Sequence, residues 1–255
     1  MARRPPEPSG RQVLYGLHPV AEALRARRRS LHRLWVRRGR EGAALRRIQA
    51  RARALGLPLE EEPEAAFRKR VPAAANDQGV ALEVGPLPEH PLGELAELGE
   101  TPRLLVALDG VEDPQNVGAI ARVADAAGAS GLILTRRHSP PLGPAVARAS
   151  AGAIESLPVA RVGNLARALE ELQGRGFWTF GADLEADSDL FELPDRVFRG
   201  DACVVFGAEG RGLRPGVRRR LDHPLRVPMA GRVGSLNVAS AASVVLYEWV
   251  RRGRG

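Results

Sequence analysis

The sequence predicts an α/β architecture in two modules, and three observations carry that prediction. From Arg103 onward, short apolar runs of strand character alternate with segments of helical periodicity. This is the pattern of a mostly parallel sheet flanked by helices. Ahead of it, residues 86–102 hold Pro86, Pro88, Pro91 and Pro102 with few branched apolar residues, which reads as a linker around one short helix. Finally, the charge is uneven. Residues 1–90 carry 18 basic and 10 acidic residues, a net of +8, whereas residues 91–255 carry 20 of each. The expected organisation is a flexible tail over 1–10, a small α/β module over 11–85, the linker over 86–102 and a larger α/β module over 103–255.

Each element follows from local pattern. Pro19 opens the apolar-periodic stretch VAEALRARR, a helix beginning just after His18. LHRLWVRR alternates large apolar and polar residues and reads as a strand. Gly42 to Leu55 reads as a helix stopped by Gly56, LPLEEE as a short strand, EAAFRKR as a short helix and GVALEVG as a strand. In the larger module RLLVALD is a buried strand, NVGAIARVADAAGA a helix ending at Gly128, GLILT a strand and GPAVARASAGA a helix. LPVARV, FWTFGAD and DACVVFG are strands, with the helix NLARALEELQGRG between the first two. LRPGVRRRL is a helical turn region, LRVPM a strand, and SLNVASAASVVLYEWVRR closes the chain as a long helix.

Composition excludes several chemistries. The single cysteine, Cys203, permits no intrachain disulfide and no multi-cysteine zinc or iron–sulfur site. Lys69 is the lone lysine among 38 basic residues and lies in FRKRV, so no GxxxxGK[ST] phosphate loop exists. The five histidines form no HExxH or close pair, and no metal is expected. No apolar run approaches a membrane span, and MARRPPEPSG lacks the apolar core of a secretory signal, so the cytoplasm is the expected compartment. A basic module joined to a neutral one points towards a polyanion such as nucleic acid; the plainer reading is a solvated arginine surface.

Ligands of parallel α/β sheets bind outside the carboxyl ends of the strands, where three loops stand out. In LDGVEDPQNVGAIAR, Asn116 can cap the following helix, and Arg122 lies six residues later as either a functional or an exposed helix arginine. VVFGAEGRGL offers Gly207, Gly210 and Gly212 for close backbone approach but fails the dinucleotide fingerprint, with Pro215 where the last glycine is needed. Glu209 inside it is either functional or a cap. VPMAGRVGSLNVASAA ends a strand and opens a helix of very small residues, where Ser235 and Asn237 are caps or site residues.

Together, and in this order, the three loops resemble motifs 1, 2 and 3 of the SpoU (TrmH) branch of the SPOUT RNA methyltransferases. The resemblance spans about residues 103–250. YGLHPVAEALRA and the segment before the linker extend it to the two-domain members that methylate the 2′-hydroxyl of a guanosine in 23S ribosomal RNA. The resemblance implies a C-terminal α/β domain with a deep trefoil knot and a small N-terminal L30e-like domain that binds the RNA substrate. It also implies S-adenosyl-L-methionine as cofactor, held by Gly207, Val227, Met229, Gly231 and Leu236. It assigns Arg122 to the nucleophile's proton or to an RNA phosphate, Asn116 and Glu209 to positioning, and Ser235 and Asn237 to the RNA-facing side. It implies a homodimer with the site at the subunit interface, although the small-residue face of the last helix fits core packing equally well. One departure is Asp77 in NDQGV, where members commonly carry histidine before Gln-Gly. Rival readings are a tRNA 2′-O-methyltransferase of the TrmH type, which lacks the N-terminal domain, and a non-catalytic ribosomal RNA assembly factor.

Overall fold

The computed structural model describes residues 10–73 and 75–253, and these form two units. Residues 1–9 of the expected tail lie outside the described residues. The first unit comprises the chain through Pro88 together with Leu142–Ser156; the second comprises Glu89–Pro141 and the chain from Leu157 onward.

In chain order the first unit begins with β1 (Gln12–Tyr15), α1 (Leu17–Ala26), β2 (Leu31–Arg37), α2 (Ala43–Ala54), β3 (Leu59–Glu62), α3 (Glu64–Phe67) and β4 (Val80–Val84). The sheet order is β1-β4-β2-β3, antiparallel except for the β2–β3 pair. β1 is too short for an alternation signal, and its pairing to β4 defines it. α1 buries Pro19, Val20, Ala23 and Leu24, and α2 buries Leu45, Ile48 and Ala52. These are the stripes that a 3.6-residue period lays against a sheet. α1 starts two residues before Pro19, earlier than the sequence pattern suggests. A distant residue makes that possible: Gln78 Oε1 accepts the Leu17 N–H at 2.9 Å. Pro19 then sits in the first turn, where a missing N–H costs little. The departure at Asp77 is structural. Its carboxylate is buried, accepts the Gly79 N–H at 2.7 Å and pairs with Arg68 at 3.0 Å, so it shapes the turn into β4.

The second unit contains α4 (Leu92–Leu95), β5 (Leu104–Asp109), α5 (Pro114–Ala126) and β6 (Gly131–Thr135). The chain then visits the first unit through α6 (Pro144–Ala149) and returns as β7 (Val159–Val162). It continues through α7 (Leu165–Gln173), β8 (Trp178–Ala182), β9 (Ala202–Gly207), α8 (Pro215–Arg218), β10 (His223–Leu225) and α9 (Val238–Gly253). All pairs are parallel, in the order β10-β8-β9-β5-β6-β7. Every residue of β5, β6 and β9 is buried, as expected for central strands covered on both faces. Cys203 lies in this core, and burial pushes its thiol up to about 12, so it is inert packing. No described helix is long and apolar enough to cross a membrane.

Two expectations are corrected. The strand read over LRVPM is displaced: β10 is His223–Leu225 and pairs with β8, and it ends where the backbone of Arg226 turns to another segment, donating its N–H to the Ser188 carbonyl at 2.9 Å and accepting the Leu190 N–H at 2.9 Å. Residues 142–156, which the sequence pattern places in the larger module, pack in the first unit. Arg148 donates to the Asn76 carbonyl at 2.6 Å and lies 5.6 Å from the Tyr15 ring, and the buried Glu155 meets Arg29 at 2.7 Å. Local periodicity specifies the helix but not the surface it packs against.

At the edge of the larger sheet His223 stacks on Phe180 at 5.1 Å and meets a tilted Trp178 ring at 5.3 Å, with its Nε2 buried and unpartnered among the described residues. Desolvation depresses its pKa below the ordinary 6.5; Asp222 opposes this and Arg196 adds to it. The folded protein therefore binds this proton less readily than the unfolded chain. Stability from the neutral ring is complete above pH 6.5 and is lost as pH falls from there through the folded-state pKa. Thermal unfolding of the His223→Phe variant should show a melting temperature that gains on the wild type between pH 7.5 and 5. A constant difference across that range would remove His223 from the acid response.

Candidate active site

Parallel strands β8 and β9 end side by side, and their carboxyl ends open into a cavity of about 390 Å³. Its walls include Ala182 and Asp183 after β8, Phe206 and Gly207 at the end of β9, Val227 and Met229 beyond β10, and Ser235, Leu236 and Asn237 ahead of α9. A second cavity of about 250 Å³, lined by Gly110, Asp113, Asn116 and Arg211 among others, shares Ala208 and Glu209 with the first.

The loop after β9 is folded tightly by its glycines. Gly212 donates to the Ala208 carbonyl at 2.9 Å, and Gly210 and Gly212 take φ of +74° and +63°, a region L side chains rarely adopt. A Cβ on Gly207 would come within 2.2 Å of the Gly212 carbonyl carbon and 2.5 Å of the Leu213 nitrogen. The backbone passes itself there at a distance only glycine allows. Beyond the turn, the buried Asp109 at the end of β5 accepts the Arg214 N–H at 2.8 Å and its Nε at 2.7 Å, which ties the loop back to the sheet.

One side chain joins the three loops. Asn237 donates through Nδ2 to Asn116 Oδ1 at 3.0 Å and to Glu209 Oε1 at 2.5 Å. Its own Oδ1 accepts the Ala239 N–H at 2.9 Å, which caps α9. Asn116 is not the cap of α5. Asp113 takes that place, accepting the Gln115 N–H at 3.0 Å with Pro114 as the first helical residue. Asn116 is thereby turned inward and buried. Glu209 caps no helix, and its carboxylate is held by Asn237.

Of the residues singled out from sequence, Gly207, Glu209, Val227, Met229, Ser235, Leu236 and Asn237 line the larger cavity, and Asn116 and Glu209 line the smaller. Gly231 is exposed and lines neither. Arg122 is exposed on α5, six residues beyond Asn116 and about 240° around the helix from it, and lines neither cavity. Sequence reasoning missed the Asp109–Arg214 tie and Asp183. Both acids end strands of a parallel sheet, which was the available signal, and Asp183 pairs with Arg218 at 2.7 Å.

Residues 103–247 match the family model of the SpoU rRNA methylase family, and residues 13–90 match the model for RNA 2′-O ribose methyltransferase substrate binding. The chain belongs to the SpoU rRNA methylase family. A Pseudomonas putida protein named 23S rRNA (guanosine-2′-O-)-methyltransferase RlmB is 38% identical over 94% of this chain and 96% of its own length. A Bacillus subtilis protein named as a putative TrmH family tRNA/rRNA methyltransferase, YacO, is 36% identical over 93% of this chain and 94% of its own. Among solved structures, the SpoU methyltransferase AviRb from Streptomyces viridochromogenes, in complex with AdoMet, superposes with a TM-score of 0.79 at 27% identity. It covers 95% of this chain and 90% of its own.

Proposed function

We propose that this SpoU protein transfers a methyl group from S-adenosyl-L-methionine to the ribose 2′-hydroxyl of a guanosine in 23S ribosomal RNA, in the cytoplasm. The observation that carries the reading is the Asn237 node, which joins the loops after β5 and β9 to the start of α9 beside the two adjoining cavities at the strand ends. The relatives named for ribosomal RNA align over 94% of the chain, whereas a TrmH/SpoU tRNA-modifying enzyme from A. aeolicus aligns over 64%. The substrate-binding module at 13–90 therefore favours ribosomal RNA over tRNA.

The cavity suits the cofactor. Apolar Val227, Leu236 and the half-exposed Met229 offer a slot for an adenine, and the glycine-rich turn at 207–212 exposes backbone groups for its polar edge. Gly231 drops out of this set. When bound, the cofactor supplies an electrophilic sulfonium methyl. The chain's task is to align a poorly acidic hydroxyl with it and to stabilise the charge that develops on oxygen. Arg122 is our choice for that stabilisation. A guanidinium stays protonated at neutral pH, so it serves as a cation rather than a base, and the hydroxyl proton leaves to solvent water. Because it lines neither cavity of its own chain, we place it in a site completed by a second copy in a homodimer. Asn116 and Glu209 hold the loops through Asn237, and Ser235 faces the RNA side. In line with the family, we take the smaller module as L30e-like and the α9 end of the larger as knotted.

Purified protein should methylate 23S ribosomal RNA from a strain lacking the modification, at a single guanosine located by 2′-O-methyl mapping. Methylation of tRNA alone, or of no RNA, would overturn the reading. Gly207→Ala tests the cofactor slot. Overpacking against backbone costs about 1–3 kcal/mol, so calorimetric titration should show S-adenosyl-L-methionine affinity falling roughly 10- to 100-fold. Unchanged affinity would move the cofactor elsewhere.

A further inference from the structure

We infer that the exposed face of α2, with the loop leading into it, is the surface of the first unit that grips the phosphate backbone of the RNA. This inference rests on the RNA methyltransferase reading and says which of the first unit's many arginines do the holding.

Two groups of arginines in this unit contrast. Around β2, β3 and α3, Arg33 pairs with Glu60, Arg37 and Arg68 with Glu64, and Arg70 with Glu62. Each of these cations already has a carboxylate and must give it up to meet a phosphate. The run from 38 to 53 differs. Arg38, Arg40, Arg46, Arg47, Arg51 and Arg53 are exposed, and among the described residues none makes an ion pair or side-chain hydrogen bond. Glu41 is the one acid in that run, and α2 itself contains four arginines and no acid.

Such a helix is not arranged for its own stability. Arg47 and Arg51 are four residues apart, a spacing at which like charges repel. Leu45, Ile48 and Ala52 fix the buried stripe, so the arginines fan over the opposite side. Ala43, Ala44, Ala50 and Ala54 between them leave a low surface from which guanidiniums reach outward. The helix spans about 18 Å, enough to follow several successive phosphates of one strand. With no exposed aromatic residue on it, the face can hold a backbone but has nothing on which to stack a base. Binding there is therefore independent of sequence and steeply salt-dependent.

The test compares two full-length variants that lose the same charge. One carries Arg46→Gln, Arg47→Gln, Arg51→Gln and Arg53→Gln; the other carries Arg33→Gln, Arg37→Gln, Arg68→Gln and Arg70→Gln. The probes are a 23S ribosomal RNA transcript and an unrelated RNA duplex, with affinity measured against salt concentration. If each α2 arginine meets a phosphate, the slope of log affinity against log salt should fall by about 3, and affinity near 0.15 M salt should fall on the order of 100-fold on both RNAs. The turnover rate at saturating RNA should be unchanged, and the paired-arginine variant should keep nearly the wild-type slope. An unchanged slope in the α2 variant overturns the inference, as does an equal loss in the paired variant, which would indicate bulk charge only. Should the α2 variant fail to fold, Arg47→Gln with Arg51→Gln gives the same comparison at half the charge. If the wild type binds RNA but methylates none, the proposed function fails while the slopes still judge α2.

Discussion

Arg122→Ala is expected to lower the methyl-transfer rate by about 100- to 1,000-fold while leaving S-adenosyl-L-methionine binding at the wild-type level. The size follows from what removing one preorganised charge-stabilising group costs, about 2.7–4 kcal/mol of transition-state stabilisation. Unchanged cofactor affinity follows from geometry, because Arg122 is exposed on α5 and lines neither cavity. Arg122→Lys should recover little, since an ammonium keeps the charge but not the planar, multi-donor fork. A mixing experiment separates the two ways of building the site. Arg122→Ala chains retain an intact Asn237 node, and Asn237→Ala chains retain Arg122. If each site draws Arg122 from the second copy, a mixture of the two inactive variants should regain activity, up to about a quarter of wild type for random pairing in a dimer. If each chain uses its own Arg122, the mixture stays inactive. Full activity of Arg122→Ala alone would remove the residue from the reaction altogether.

The site was legible in the sequence to the extent that its function resides in loop chemistry. Glycines that permit close backbone approach, and small polar residues at strand ends, are written locally; Gly207, Glu209 and Asn237 were found that way. What they do to one another was not legible. Asn116 looked like a helix cap because Asn before an apolar-periodic run is a common cap, yet Asp113, three residues earlier, takes that place and frees Asn116 for the node. The Asp109–Arg214 tie joins residues 105 apart in the chain, and no local pattern reports such a pairing. The fold shows the same limit. Apolar periodicity identified most strands and helices of both sheets, though not β1, but it could not show that residues 142–156 pack with the first unit, because that rests on contacts between residues far apart in the chain, Arg29 with Glu155 and Arg148 with Asn76 among them.

That ion pair leads to the largest expected stability effect. Arg29 stands in the run RARRRS, where composition reads as a solvated basic patch, yet its side chain is 0% exposed and that of Glu155 is 1%. Its Nε and one terminal nitrogen meet the two Glu155 oxygens at 2.7 and 2.9 Å. The remaining N–H groups reach the Leu142 carbonyl at 2.9 Å, Gln12 Oε1 at 3.2 Å and the Gly85 carbonyl at 3.3 Å. All five guanidinium donors are thereby used, which is the condition under which a buried charge is tolerable. Arg29→Met keeps much of the volume but leaves Glu155 as a buried carboxylate without a cation, which should destabilise the first unit by about 3–5 kcal/mol. Glu155→Leu should cost about as much by stranding Arg29. The double variant should cost far less than the sum, since neither charge then remains, although the Leu142 and Gly85 carbonyls lose a donor. With two units, a single unfolding transition cannot be assumed, so amide hydrogen exchange along β4 and over 142–156 is the appropriate measurement. Protection in both segments should fall together in either single variant, while that of β5 and β9 should hold. A loss confined to 142–156 would mean that the pair only fastens that segment to an independently stable sheet. A loss below about 1 kcal/mol everywhere would mean that the pair carries no more weight than an exposed one.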